Sequence, residues 1–400
     1  MRDRMRWAVR GVLCGALLGA TITPAVAEGH IPAFARRYGV SCALCHNPVP
    51  VLTPFGEQFA ANGNRMAPGE EPSDTIGTGD DLLALSRNVP LAVRLDAYVQ
   101  SYANGRAVTD FQTPYSLKLL SGGSLSKSLS YYFYAFLFER GEVGGVEDAY
   151  LYANDIAGVP VDVMVGQFQV SDPMFKRELR LSFEDYAVYR ARLGEVPSDL
   201  TYERGVLATA DLAGFSLSGQ VVNGNGRGAA GDDRHFDSDA GKTFALRASR
   251  DIMPGLRLGA FGYTGRTTSE AISDATHMLG ADATIAHGPF ELNVQYLHRS
   301  DSRPFYVAED STASLDGGFA ELLVRPAGSR WHGFALYNLI DADRPVLSVR
   351  LGGPALVKRY ETVSGGVGYL LRRNLRLTGE MTYDISQEEA RWTLGAISAF

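Results

Sequence analysis

Residues 41–50 read SCALCHNPVP. Three of their side chains, Cys42, Cys45 and His46, have the types and spacing for covalent and metal chemistry. C-x-x-C-H is the attachment sequence of c-type haem. Two thiols three residues apart reach the two vinyl groups of one porphyrin edge and form thioethers. The adjacent imidazole then lies under the iron. A disulfide would make no use of His46, and a zinc site needs four ligands where only His30 stands nearby. The expected cofactor is one covalent haem c, bound by Cys42 and Cys45, with His46 as an axial ligand.

The other ring nitrogen of His46 needs an acceptor to fix its tautomer, and a carbonyl near Pro48 or Pro50 is well placed in sequence. The sixth iron position is open to three readings. Met66, at the end of NGNRM, would supply a thioether and raise the potential, or else be a core methionine against the porphyrin edge. His30 would give a bis-histidine site, or else be a solvated residue at the start of the mature chain. A position left open would suit peroxide or gas chemistry. The other histidines (His235, His277, His287, His298 and His332) make no metal spacing with one another and read as structural. NGNGRG at 223–228 is Gly-rich, but no helix follows to cradle a phosphate. GDDRHFDSD at 231–239 reads as a solvated acidic loop.

Short helices must position this constellation. IPAFARRY puts Ile31, Phe34, Ala35 and Tyr38 on one helical face, and Gly39 ends it. TPFGEQFAANG has Thr53 as N-cap, Pro54 in the first turn, Phe55 and Phe59 four apart, and Gly63 as the stop. Ahead of them, residues 1–27 read as a secretory signal: a basic start, a short apolar run holding Cys14, and Ala25-Val26-Ala27 as cleavage site. Its removal takes away Arg2, Arg4, Arg6, Arg10 and Asp3, so the formal charge moves from −7 to −10. An acidic exported chain argues against nucleic acid as a partner and could favour cations. Residues 67–88 are polar and rich in Gly, Pro and Asp, and read as a linker.

From residue 89 the period changes to two. LRLTGEMTYD sets Leu375, Leu377, Gly379, Met381 and Tyr383 on one face and Arg376, Thr378, Glu380, Thr382 and Asp384 on the other. Sixteen such segments follow one another, and no segment has the roughly 20 consecutive apolar residues of a membrane helix. With 44 Gly, 19 Tyr and 19 Phe, the pattern suits an outer-membrane β-barrel. Numbered from the first strand, the even connections are short (DLAG, HGP, RRN). Most odd ones are longer, as at 223–241, 300–313 and 342–358. Barrels of this class have short periplasmic turns and longer outside loops. The longest connection, 169–202, follows the fifth strand, where the loop of general porins folds inward. The last strand, RWTLGAISAF, carries Trp392, Leu394, Ala396, Ser398 and Phe400 on one face, and its terminal Phe resembles an outer-membrane insertion signal. A soluble β-sandwich or propeller would leave both the turn parity and that Phe unexplained. One strand breaks the pattern: SYYFYAFLFER has Tyr132, Tyr134, Phe136 and Phe138 on the face opposite Tyr131 and Phe133. Either it packs on something apolar inside the barrel or it belongs to an aromatic girdle, which is the reading adopted.

The stretch PAFARRYGVSCALCHNPVPVLTPFGEQFAANGNRM (32–66), followed by a barrel and a terminal Phe, resembles the fused outer-membrane monohaem cytochrome–porin family. The best known members are the outer-membrane cytochromes of iron-oxidising bacteria. The resemblance implies a mainly β fold. A signal peptide (1–27), a small α-helical cytochrome c domain (28–66) and a linker (67–88) would precede a 16-stranded antiparallel transmembrane barrel (89–400). It implies covalent haem on Cys42 and Cys45, His46 as axial ligand, and a haem domain at the periplasmic side or inside the barrel. The function expected is passage of single electrons from an extracellular donor, ferrous iron among the candidates, to a periplasmic carrier such as a soluble cytochrome c. If enzymatic, the chain would be an oxidoreductase. A solute porin with a haem plug or sensor, and a peroxidase-like haem enzyme, are the alternatives.

Overall fold

Alternating residues in an extended chain point to opposite faces. A period-two sequence therefore closes on itself only if one face is buried and the other meets an apolar surround. The computed structural model describes residues 33–400 except 73–74, 81, 84, 88–89, 104–106 and 350–355. The expected signal sequence, Cys14 and His30 lie outside the described residues.

Sixteen strands form the wall. They begin with β1 (Leu91–Ala103), β2 (Ala107–Ser124), β3 (Leu129–Glu139) and β4 (Val146–Ala153). Next come β5 (Asp162–Gln169), β6 (Tyr202–Leu212), β7 (Phe215–Val222) and β8 (Thr243–Met253). Then follow β9 (Leu256–Ser269), β10 (Ile272–His287), β11 (Phe290–Asp301) and β12 (Ala313–Val324). The last are β13 (Trp331–Ala342), β14 (Arg359–Arg372), β15 (Leu375–Asp384) and β16 (Glu389–Ala399). Each pairs antiparallel with its neighbours in sequence, and β1 pairs β16 with Asp96 opposite Ile397, which closes the sheet. Closure removes the unpaired edges that an open sheet would expose. Phe400 takes part: its N–H donates to the Val93 carbonyl at 2.8 Å, and the Val93 N–H returns the bond at 2.7 Å.

The faces sort as the alternation requires. On β15, Leu377, Met381 and Tyr383 are exposed outward while Arg376, Thr378, Glu380 and Thr382 are buried in the lumen. On β16, Trp392 and Leu394 point out. An apolar exterior and a polar interior are the arrangement of a membrane barrel. Among the described residues no helix is long and apolar enough to cross a membrane.

The even connections form a tight turn end, and the long odd ones at 170–201, 223–242, 302–312 and 343–358 form a loop end. Two odd connections depart from expectation. Between β1 and β2 only residues 104–106 remain, with Ala103 opposite Ala107. Strands β9 and β10 run on until only Glu270 and Ala271 join them, with Ser269 opposite Ile272. Both turn residues take positive φ, 46° and 70°, the backbone of a two-residue hairpin. The long connection 170–201 does fold inward. Tyr186 stacks on Phe319 with centroids 4.2 Å apart, and its hydroxyl donates to Glu321 at 2.8 Å. Asn338 accepts from the Ala187 N–H at 3.2 Å and donates to the Asp185 carbonyl at 3.0 Å. Leu193 also pairs with Leu347 of the β13–β14 connection. The inward loop thus divides the lumen.

Candidate functional site

Three helices precede the wall: α1 (Ala33–Tyr38), α2 (Cys42–Cys45) and α3 (Pro54–Ala61). Their signals act as the sequence suggests. Gly39 and Gly63 both take φ of +65° just beyond α1 and α3, where a side chain would strain the left-handed backbone. Thr53 caps α3, its Oγ1 accepting from the Gly56 N–H at 3.1 Å. The same Oγ1 donates to the Leu44 carbonyl at 2.7 Å, which ties α3 to α2. The two helices pack so closely that a Cβ on Gly56 would lie 2.2 Å from the Cys45 carbonyl oxygen. Phe59 bridges α1 and α3, edge-on to Phe34 at 5.2 Å and to Tyr38 at 5.8 Å.

The helices sit in the turn end of the barrel. Arg65 is the main anchor, with 1% of its surface exposed. Its guanidinium donates to the Asn62 carbonyl at 2.9 Å, to the Ser126 carbonyl of the β2–β3 turn at 2.9 Å, and to Asn154 Oδ1 of the β4–β5 turn at 3.1 Å. Asn154 in turn donates to the Ala61 carbonyl at 2.8 Å. Arg37 donates to Ser124 at 3.0 Å, and Arg325 of the β12–β13 turn donates to the Asn47 carbonyl at 3.0 Å. Val51 packs against Leu181 of the inward loop and against Leu323 and Phe334 of the wall. Nothing in sequence spacing pairs Arg65 with residues 61 and 89 positions away, so this anchor was not foreseen.

A cavity of about 1230 Å³ lies among the helices, the wall and the inward loop. Cys42, Cys45, His46 and Met66 all line it. The two cysteines are unbridged and half-buried. Burial raises both thiol pKa values, with Arg373 of the β14–β15 turn working against the rise at Cys42. His46 Nδ1 lies 2.9 Å from the Pro50 carbonyl oxygen. That oxygen can only accept, so Nδ1 carries the proton and Nε2 keeps its lone pair. Burial pushes the imidazole pKa down, against the pull of the Pro50 and Val51 carbonyls, so the ring is held neutral. The loop carrying it is closed by a bond from the Asn47 N–H to the Val51 carbonyl at 2.9 Å. Met66 is half-buried, its N–H donating to Glu70 at 2.9 Å. Two thiols, a neutral imidazole with a directed lone pair and a thioether therefore face one enclosed space. They could hold a cofactor bearing a soft metal centre. Among the described residues no group of three or more His, Cys, Asp or Glu forms a bare-metal site.

The aromatic strand β3 resolves against the girdle. Tyr132 and Tyr134 line the cavity, and Tyr134 and Phe136 are buried. Gly122 of β2 lies under both Tyr132 and Phe34: a Cβ there would stand 3.0 Å from one ring and 3.1 Å from the other. The inserted helices supply the apolar partner that a water-filled lumen would not.

A second pocket, of about 370 Å³, lies toward the loop end beyond the inward loop. Arg94, Lys118, Glu178 and Arg180 line both spaces and form the partition. Lys118 pairs with Glu178 at 3.0 Å, and Tyr134 donates to the same carboxylate at 3.0 Å. The lining of this outer pocket holds nine Lys and Arg against seven Asp and Glu, a surplus of two positive charges. An acidic chain thus lines its outer pocket with a positive surplus, because net charge says nothing about where the charges lie.

The fold is that of outer-membrane porins. The anion-selective porin from Comamonas acidovorans superposes with a TM-score of 0.58 at 11% identity, over 78% of this chain and 99% of that chain. A loop L8 deletion mutant of OmpT, an outer membrane protein of Vibrio cholerae, gives 0.54 at 12%, over 78% and 99%. The outer membrane channel DcaP of Acinetobacter baumannii gives 0.53 at 9%, over 78% and 97%. At these identities the likeness is one of fold. No family model matches the sequence, and no curated protein matches it.

Proposed function

We propose that this chain is an outer-membrane electron-transfer protein. Cys42 and Cys45 would carry one haem c through two thioethers, and His46 would bind the iron through Nε2. Single electrons would pass from an extracellular donor, with ferrous iron the first candidate, to a periplasmic acceptor such as a soluble cytochrome c. When bound, the haem would supply a one-electron iron couple. The observation that carries this reading is the convergence of both thiols, the His46 imidazole and Met66 on one cavity at the turn end of a porin barrel.

The chain's own residues supply the rest. Thr53 and Gly56 hold α2 against α3, so the two thiols stay on one short turn. The Pro50 carbonyl fixes the imidazole tautomer, the outer contact that orients a metal-binding histidine. Met66, in the same cavity, is the candidate sixth ligand, and a thioether there would raise the potential. Arg65, Asn154 and Arg325 hold the segment in the turn end, which is the periplasmic side in porin topology.

The test is direct. Air-oxidised protein in detergent is mixed anaerobically with Fe²⁺ at several pH values, and haem absorbance is followed by stopped flow. Fast reduction is expected. A haem spectrum that ignores Fe²⁺ but responds to dithionite would keep the cofactor and remove iron as donor.

The porin-like wall and charged outer pocket favour a second reading, passage of small solutes with the helices as a plug. It predicts solute flux into vesicles that survives Cys42→Ala with Cys45→Ala.

A further inference from the structure

The outer pocket contains one cation that differs from the rest. Arg94 pairs with Asp96 at 2.8 Å, Arg192 with Asp199 at 2.6 Å, and Arg177, Arg180 and Arg190 share Asp185. Arg376 lines the same pocket and has no ion pair among the described residues. Only 5% of its surface is exposed, and its Nε and Nη1 have no hydrogen-bond partner. Buried donors are seldom left so.

The wall beside it has the same character. His332 on β13 stands opposite Gly368 on β14, and Gly368 stands opposite Thr378 on β15. Arg376 and Thr378, two apart on β15, share the lumen face. The His332 ring lies over the glycine: a Cβ on Gly368 would meet His332 Nε2 at 2.1 Å. His332 is 5% and Thr378 9% exposed, and among the described residues both ring nitrogens and the threonine Oγ1 lack partners. Three neighbouring buried side chains thus offer unused polar atoms; Asp96 and Glu380 lie within electrostatic reach of the guanidinium, but neither forms an ion pair with it among the described residues. A carboxylate oxygen would be bound by charge-assisted hydrogen bonds.

We propose that the outer pocket is a binding site for a small carboxylate-bearing anion, held by Arg376, with His332 and Thr378 behind it in the wall and lining neither cavity. About 370 Å³ is within the range of roughly 300–1,000 Å³ of small-molecule sites. The role of the anion rests on the electron-transfer reading: a ferrous donor would reach the pocket inside an anionic carboxylate shell, not as the bare ion.

The experiment is equilibrium dialysis of labelled citrate against the full-length holoprotein in detergent at low ionic strength. Wild type is expected to bind one citrate saturably. Arg376→Gln is expected to weaken binding at least tenfold. Heat-modifiable gel mobility checks that the barrel is folded. Should Arg376→Gln fail to fold, Arg376→Lys, which keeps the charge and loses the planar fork, carries the test with a smaller expected loss. Absence of saturable citrate binding to wild type, or binding that ignores the folded variants, overturns the site. Absent binding together with a changed haem potential in Arg376→Gln would assign the carboxylate to the haem's own propionates and equally overturn a solute site. Dialysis reads binding whether or not Fe²⁺ reduces the protein, so its failure is distinct from failure of the electron-transfer reading.

Discussion

The barrel wall and the helical segment at its turn end are stabilised in opposite ways. The wall spreads its stability over sixteen paired ladders, so few single positions decide it. The segment has helices of six, four and eight residues, each shorter than the roughly 12–15 at which an isolated helix becomes marginal. Its buried hydrophobics are few: Ala33, Ala35 and Phe59. Chains this small generally borrow stability from a metal, a disulfide or a partner. Here the barrel is one partner, and a covalent cofactor would be the other. Individual residues therefore matter in the segment as they do not in the wall.

The largest effect expected is all-or-none. Cys42→Ala with Cys45→Ala should leave no haem on the chain after denaturation in SDS, read by haem stain, while the heat-modifiable barrel persists. Haem retained by the denatured double variant would sink the assignment, and loss of the barrel would erase the contrast between the two regions.

Next is the anchor. Removing the Arg65 side chain strands the Ser126 carbonyl and Asn154 Oδ1 at a buried junction. Each charge-assisted bond contributes about 1.5–3 kcal/mol, so Arg65→Ala should weaken docking by about 3 kcal/mol, on the order of a hundredfold in the undocked population. Proteolysis within 67–88 should accelerate accordingly. An unchanged rate would mean that the segment holds itself.

The two regions also differed in how far they could be read from sequence. Strand number, turn parity and the terminal strand follow from a period-two pattern that all strands but β3 repeat, and the inward loop follows from the length of its connection. Thr53, Gly39, Gly63 and the Pro50 carbonyl were legible because caps and a histidine's second bond are local. What escaped is long-range. Tyr132 looked wrong for a lumen because Phe34, which shares the space over Gly122 with it, lies about a hundred residues earlier. Arg65 looked like a neighbour of Met66. The positive outer pocket is hidden in an acidic total, and His332 looked structural because only the register of β13, β14 and β15 sets it beside Arg376.

A smaller effect tests the helix contact. Alanine at Gly56 would press its Cβ into backbone atoms of Cys45, at 2.2 Å from the oxygen and 3.0 Å from the carbon. No rotamer relieves that. Overpacking of this kind costs about 1–3 kcal/mol, so Gly56→Ala should lower haem loading severalfold at normal barrel yield. Full loading would show that α2 and α3 can separate without disturbing the thiols.

The smallest effect is on pH. Glu57 projects from α3 toward the wall, among Arg257 and Lys176 on one side of the balance and Glu291 and Asp251 on the other. Desolvation raises its carboxyl pKa above the ordinary value, and Arg257 offsets only part of the rise. Below its unfolded pKa the group is protonated docked or free and costs nothing. As pH rises, the free segment loses the proton first, so docking weakens progressively and the loss is complete above the docked pKa. Glu57→Gln carries no such proton. Denaturant release of the segment, followed by proteolysis at 67–88, should shift to lower denaturant for wild type between acidic and neutral pH. In the variant that shift should be smaller. Because water reaches the carboxylate within the cavity, the difference should be slight. Equal shifts in both proteins would place the pH response in the barrel's own carboxylates, and the segment would lose one of its distinctions from the wall.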